Sequence, residues 1–196
     1  MDGAKTAIIT ATIGRPTLKR TCESVQKQTV SCNHVIIVDG YDKAKLPIVP
    51  EDQTIIVRPH TGNWGGGCYR WAIENLNYDT FMFLDDDNWI EPDHVESQLN
   101  ALELKLWAFT FRRVIHEDGR LIAERGPEKF VDTNCYAFIS GFARDVAKHF
   151  TTGTYQNDRA VFKAIQEWRS GIGNPAPSGC TNKITVNYTV RGEGWK

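Results

Sequence analysis

No stretch of this 196-residue chain approaches the run of about 18 apolar residues needed to cross a bilayer. Its opening, MDGAKTAIITATIG, holds too short an apolar segment for an export signal. A cytoplasmic protein without a transmembrane segment is the expectation. Cysteine is sparse, with Cys22, Cys32, Cys68, Cys135 and Cys180 scattered, odd in number and free of any C-x-x-C spacing. That argues against zinc and thioredoxin-like chemistry and fits reduced thiols. Charge of one sign is also lacking: 23 basic against 24 acidic residues leave a net charge of -1. Bulk electrostatics therefore gives no reason to expect a nucleic-acid partner. Internal repeats, low-complexity tracts and linkers are absent, and the length suits a single domain.

Short apolar runs and helical patterns fill the first half. AIIT (7–10), VIIV (35–38), TIIV (54–57) and FMFL (81–84) do not alternate with polar residues. Such runs are expected of strands covered on both faces. Between the first two, Pro16 suits a first helical turn, and Leu18, Cys22 and Val25 recur at helical spacing. A second helix is expected from about Cys68 to Leu76, and a third from Pro92, with Val95, Leu99, Leu102 and Leu106 on one stripe. This β-α-β rhythm predicts an α/β fold with a mostly parallel central sheet flanked by helices. The second half reads differently. LWAFTFRRVIHEDGRLIAE suggests a strand pair turning at Asp118-Gly119, CYAFIS a strand and GFARDVAKHF a short helix. DRAVFKAIQEWRSG is a stronger helix with Val161, Phe162, Ile165 and Trp168 inward, and KITVNYTV a last strand.

Open parallel sheets bind ligands beyond the carboxyl ends of their strands. The residues expected there are Thr10, Ala11 and Thr12, then Asp39, then Arg58 and His60, and finally Asp85, Asp86 and Asp87. Three adjacent carboxylates after a buried strand repel one another unless protonated or bridged by a cation. In extended backbone Asp85 and Asp87 would project to one side and Asp86 to the other. A hard ion, Mg²⁺ or Mn²⁺, held by one or two carboxylates plus substrate phosphates would satisfy them. A solvated acidic turn ahead of the next helix is the simpler alternative.

TATIGRPTLKRTCESVQKQT, VIIVDG and FMFLDDDNWIEPDHV together resemble glycosyltransferase family 2, whose members have the GT-A fold. The resemblance covers about residues 5 to 100 well and the rest loosely. It implies one GT-A domain over 1–196, with a nucleotide-binding half (1–90) and a smaller, mixed acceptor and catalytic half (91–196). Thr10, Thr12 and Arg15 would then line the nucleoside pocket, and Asp39 would accept a hydrogen bond from the base, most often uracil. Asp85 would lie near the ribose or the metal, Asp86 beside the nucleotide, and Asp87 would be the direct metal ligand. In RPHTGNWGGGCYRWAIENL, Gly65, Gly66 and Gly67 supply the family's glycine loop and Arg70 matches its Arg, whereas Trp71 stands where Asn is usual. Neither a G-x-G-x-x-G nor a P-loop lysine is present, which counts against dehydrogenases and NTPases.

In YQNDRAVFKAI, Asn157 replaces the family's first acid, and Asp158 would be the general base of an inverting reaction. Asn157-Asp158 also suits a helix N-cap, and the two roles are compatible. Trp64 and Trp89 flank the expected site and suit stacking on a sugar; Arg191 and Lys196 lie in a tail that could close over a diphosphate, although a frayed terminus is the favoured reading. The implied enzyme is a metal-dependent, hexosyltransferase-type glycosyltransferase (EC 2.4). Its partners would be a nucleotide-sugar donor, a UDP-sugar by resemblance, and a carbohydrate or other hydroxyl acceptor. A nucleotidyltransferase making an activated sugar and a non-catalytic carbohydrate-binding module of the same fold are the alternatives.

Overall fold

The computed structural model describes residues 5–40, 46–47, 49–125, 131–151, 157–171 and 173–190. The first apolar runs form β1 (Thr6–Thr12), β2 (Asn33–Asp39), β3 (Thr54–Arg58) and β4 (Thr80–Phe83). They lie in the order β3-β2-β1-β4, all parallel. β1 therefore has β2 on one side and β4 on the other, which makes the gap beyond its carboxyl end the switch point of the sheet. Successive residues of β2 face opposite ways. Ile36 packs with Leu18 and Cys22 of α1 (Leu18–Gln26), while Val35 and Ile37 join the main core. β3 departs from expectation. As the outermost strand it is only partly covered, and Ile55 is exposed.

α2 (Gly66–Asn75) leads into β4, and the acidic run leaves β4 as a turn. The Asn88 amide donates to the Asp85 carbonyl at 3.1 Å, so the three aspartates are not extended as expected. A short β5 (Trp89–Ile90) and α3 (His94–Leu102) follow, and Leu106 falls beyond the helix end.

From there the sheet becomes mixed. β6 (Trp107–His116) turns through Asp118-Gly119 into β7 (Leu121–Arg125), and β8 (Tyr136–Ile139) runs antiparallel between β4 and β6. α4 (Ser140–Val146), a 3-10 turn (Ala147–Thr151) and α5 (Asn157–Glu167) cover one side. The last strand, β9 (Ser178–Val190), is longer than KITVNYTV alone. It pairs parallel with β6 and antiparallel with β5. The full order is β3-β2-β1-β4-β8-β6-β9-β5, with β7 on β6. One apolar core runs under both halves, from Ile8 and Ile73 to Phe138, Phe150 and Val186. No helix among the described residues is long and apolar enough to cross a membrane. The tail residues Arg191 and Lys196 lie outside the described residues.

Two histidines are sealed inside this core. His94 exchanges a 2.8 Å hydrogen bond with Thr185, and His34 one of 2.8 Å with Thr10. Burial lowers both to about 4, because the imidazolium form would lose its hydration. The unfolded chain takes up a proton near pH 6.5 that the folded chain refuses until about 4, so each histidine erodes stability as pH falls through that window. In urea titrations, the stability gap between wild type and His94→Gln is therefore expected to close from pH 7 to pH 4. A gap independent of pH contradicts the sealed, neutral imidazole.

Candidate functional site

A cleft of about 640 Å³ opens at the carboxyl ends of β1, β2 and β4. It is lined by Thr12, Arg15, Asp39, Asp85, Asp86, Asp87 and Asp158, together with Arg112, Asp132, Arg159 and Tyr188. Six aspartates thus meet three arginines in one depression.

The carboxylates are held from several segments of the chain. Asp86 is buried behind the turn. It accepts hydrogen bonds from the Thr12 hydroxyl and the Arg15 guanidinium, both at 2.6 Å. Thr12 also accepts from the Gly14 amide at 2.9 Å, so β1 is locked to the acidic turn through this carboxylate. Asp85 accepts from the Tyr69 hydroxyl at 2.6 Å and the Asn134 amide at 2.8 Å, while its own backbone N–H donates to the Asn134 side chain at 2.6 Å. Asp87 is partly exposed and lies 3.7 Å from the Arg15 guanidinium. Its carbonyl accepts from Arg20 at 2.9 Å and from the Thr189 hydroxyl at 3.0 Å, which ties the turn to β9. Asp39 accepts from the Thr61 amide at 2.6 Å and the Thr61 hydroxyl at 3.2 Å.

The second half brings two more acids. Asp132 pairs with Arg112, a buried couple, and accepts from Asn134 through its backbone amide at 3.0 Å and its side chain at 2.7 Å. The Arg112 guanidinium also lies over the Tyr188 ring, 4.6 Å from its centre. Asp158 sits in the first turn of α5, where a carboxylate also favours the helix. Burial, then the charges of Asp132 and Asp85, push Asp158 up to about 7. Asp85 is pushed to about 7 by burial, Asp132 and Asp87.

Two expected site residues lie elsewhere. Thr10 is two residues inside β1, fully buried against His34, and does not line the cleft. Arg70 pairs with Glu74 one helical turn on, at 2.7 Å, and lies outside the cleft lining. Its neighbour Tyr69, about 100° further round α2, is the residue turned toward the acids. Trp71, in the place of the family's Asn, packs beneath the Arg58 guanidinium at 4.4 Å. Trp64 lines the cleft, whereas Trp89 is covered by Arg20 at 3.8 Å. Asp132, Asn134, Arg112 and Tyr69 were not legible as site residues. Their partners lie far along the chain, and the acid in VDTNC follows no apolar strand that would flag it.

No group of three or more His, Cys, Asp or Glu among the described residues is arranged to hold a metal. The chemistry of the cleft still fits a hard cation with few protein ligands, because six carboxylates are met by three guanidinium groups. Asp87 has the more accessible carboxylate, while both oxygens of Asp85 already accept hydrogen bonds.

The profile of "Glycosyl transferase family 2" matches residues 6–165. The chain belongs to glycosyltransferase family 2. It is 30% identical over 107 residues to the glycosyltransferase EpsH of Bacillus subtilis (strain 168), covering 52% of this chain and 31% of EpsH. Among solved structures it is similar in fold to S. aureus TarS 1-349, with a TM-score of 0.68 at 11% identity, covering 94% of this chain and 60% of that one. TarS 1-349 in complex with UDP-GlcNAc gives 0.62 at 12% identity, covering 96% and 59%. The chain spans less than two thirds of the length of these proteins. At such identity the TarS likeness establishes the GT-A type of fold.

Burial of Asp158 has a consequence for stability. Its raised value means that, above about pH 7, the folded chain carries a charge at a cost the unfolded chain avoids. Asp158→Asn is therefore expected to melt several degrees higher than wild type at pH 8, with the gain fading as pH falls toward 4. Calorimetry at pH 8, 6 and 4 checks this; a variant that melts lower at pH 8 contradicts the strained carboxylate.

Proposed function

We propose that this cleft transfers a sugar from a nucleotide-diphosphate sugar to an acceptor hydroxyl, with inversion and with Asp158 as the general base. The observation that carries the reading is the meeting of Asp158 with the acidic turn after β4 in one cleft at the switch point of the sheet. Inverting transfer needs a carboxylate to take the acceptor's proton as its oxygen attacks the anomeric carbon. A base held near 7 by burial and by neighbouring acids suits work at neutral pH. The proton moves from the acceptor hydroxyl to the Asp158 carboxylate, the new glycosidic bond forms, and the nucleoside diphosphate leaves.

A UDP-sugar is the favoured donor, since TarS, similar in fold, has been crystallised in complex with UDP and with UDP-GlcNAc. Thr12, Arg15 and Asp39 would meet the nucleoside, with Asp39 offering its carboxylate to a ring N–H. Asp87, with Asp85 behind it, would hold Mn²⁺ or Mg²⁺. When bound there, the ion supplies the positive charge that a departing diphosphate needs. Without such an ion, a diphosphate entering among six aspartates meets mostly like charge.

The test is product analysis over a panel of nucleotide sugars with Mn²⁺ present. Release of nucleoside diphosphate is expected, with UDP-sugars foremost; release of pyrophosphate would instead mark a nucleotidyltransferase. Asp158→Asn is expected to lower kcat by about 10²–10⁴-fold with little change in donor KM. Unchanged turnover in that variant removes Asp158 from the chemistry.

A further inference from the structure

We infer that Trp64 is a platform for a pyranose ring of the acceptor, an assignment that rests on the glycosyl-transfer reading above. Trp64 lines the cleft yet is 71% exposed. The indole belongs to neither apolar cluster of the described residues, although large aromatic side chains are usually well covered. Its backbone is left-handed, with φ at 49°, a conformation that bulky L-residues avoid. A strained, exposed tryptophan at the mouth of a polar cleft contributes nothing evident to the core. Strain of this kind persists where the surroundings enforce it and gathers at binding sites.

The surroundings do enforce it. At one end of the loop, Thr61 is fastened to Asp39 through its amide and hydroxyl, at 2.6 and 3.2 Å. At the other, the Asn63 carbonyl accepts from the Gly66 amide at 2.8 Å and from the Asn157 side chain at 3.1 Å. Gly66 is packed so tightly that a Cβ there would fall 1.8 Å from the Phe150 carbonyl oxygen. A Cβ on Gly65, itself left-handed at φ 80°, would come within 2.9 Å of the Ala11 side chain. The loop has no slack through which residue 64 can relax. Glycine occupies the crowded positions 65 and 66, whereas position 64, also left-handed, carries an indole.

The location selects the ligand. The bond between Asn63 and Asn157 sets Trp64 beside the start of α5, and Asp158 is the next residue of that helix. The acidic turn that would hold the donor's diphosphate is secured through Thr12, Arg15 and Thr189, none of them in the Trp64 loop. A ring that reaches both Trp64 and Asp158 from solvent is therefore the acceptor's. Pyranoses present a face of C–H groups beside their hydroxyls. A flat indole matches that face, while Asp158 and the other carboxylates remain for the hydroxyls. Asn157, standing where the family has an acid, is in this view a positioning residue: its amide donates to the Asn63 carbonyl, which a carboxylate would repel.

Saturation-transfer NMR reads the contact directly, with chitotriose, maltotriose and lactose as probes and the protein first titrated with UDP and Mn²⁺. At least one of these saccharides is expected to receive saturation on one face of a ring in the UDP-loaded wild type. Its signal should fall about three- to tenfold in Trp64→Ala and be kept in part by Trp64→Phe. Trp64→Gly relieves the left-handed side chain and is expected to melt no lower than wild type, so that loss of signal there is not loss of fold. Equal signals in wild type and Trp64→Ala, or none from any saccharide with UDP-loaded wild type, overturn the platform. Failure of the wild type to bind UDP, read before any saccharide is added, overturns the donor reading and the platform with it.

Discussion

Six carboxylates share one cleft, and keeping them there is the constraint around which this molecule is arranged. Burial first, and then the like charges beside them, push Asp85 and Asp158 toward protonation. Oxygens of Asp85, Asp86 and Asp132 are met by donors from distant parts of the chain. Thr12 comes from the end of β1 and Arg15 from just beyond it, Tyr69 from α2, Asn134 from the turn before β8 and Arg112 from β6. A fold assembled this way concentrates negative charge that, on the reading proposed above, a bound cation would offset. The same groups are a liability to stability when nothing is bound.

The two halves are coupled through that cluster. The acidic turn leaves β4, in the parallel half, yet its Asp87 carbonyl and the Asn88 side chain are held by Thr189 of β9, about a hundred residues later. Asn134 bridges Asp85 and Asp132, joining an acid of the first half to one of the second. Asn157 does the same for the glycine loop and α5. Displacing any of these neutral amides frees a carboxylate or a carbonyl in a place with little water, a cost of about 1–3 kcal/mol for each group left unpaired. Binding geometry and folding therefore draw on the same hydrogen bonds.

Much of this was legible in the sequence. The uniform apolar runs marked β1, β2 and β4, because strands inside a covered sheet need no alternation. The acidic run after FMFL marked the site, and the spacing of Val161 and Ile165 marked the buried face of α5. Other features have no local signature. β5 is two residues long and exists only because β9 lies beside it. The early part of β9 pairs with β6 through Ser178, Gly179 and Cys180, which lie ahead of the apolar pattern of KITVNYTV, since pairing with a distant strand overrides local preference. Thr10 and Thr12 share a face of β1, and depth alone separates the buried one from the one in the cleft. Arg70 and Tyr69 differ by one helical step, which the motif could not decide. Asp132 became visible only when Arg112 and Asn134 were seen beside it.

We propose that the cluster holds a divalent ion against the oxygens of a nucleoside diphosphate. Anomalous diffraction from crystals grown with Mn²⁺ and UDP tests it most directly. The account expects one manganese peak in the cleft, with the Asp87 carboxylate and the diphosphate both in its coordination shell. Well-ordered UDP in the cleft with no manganese beside Asp87 would contradict it.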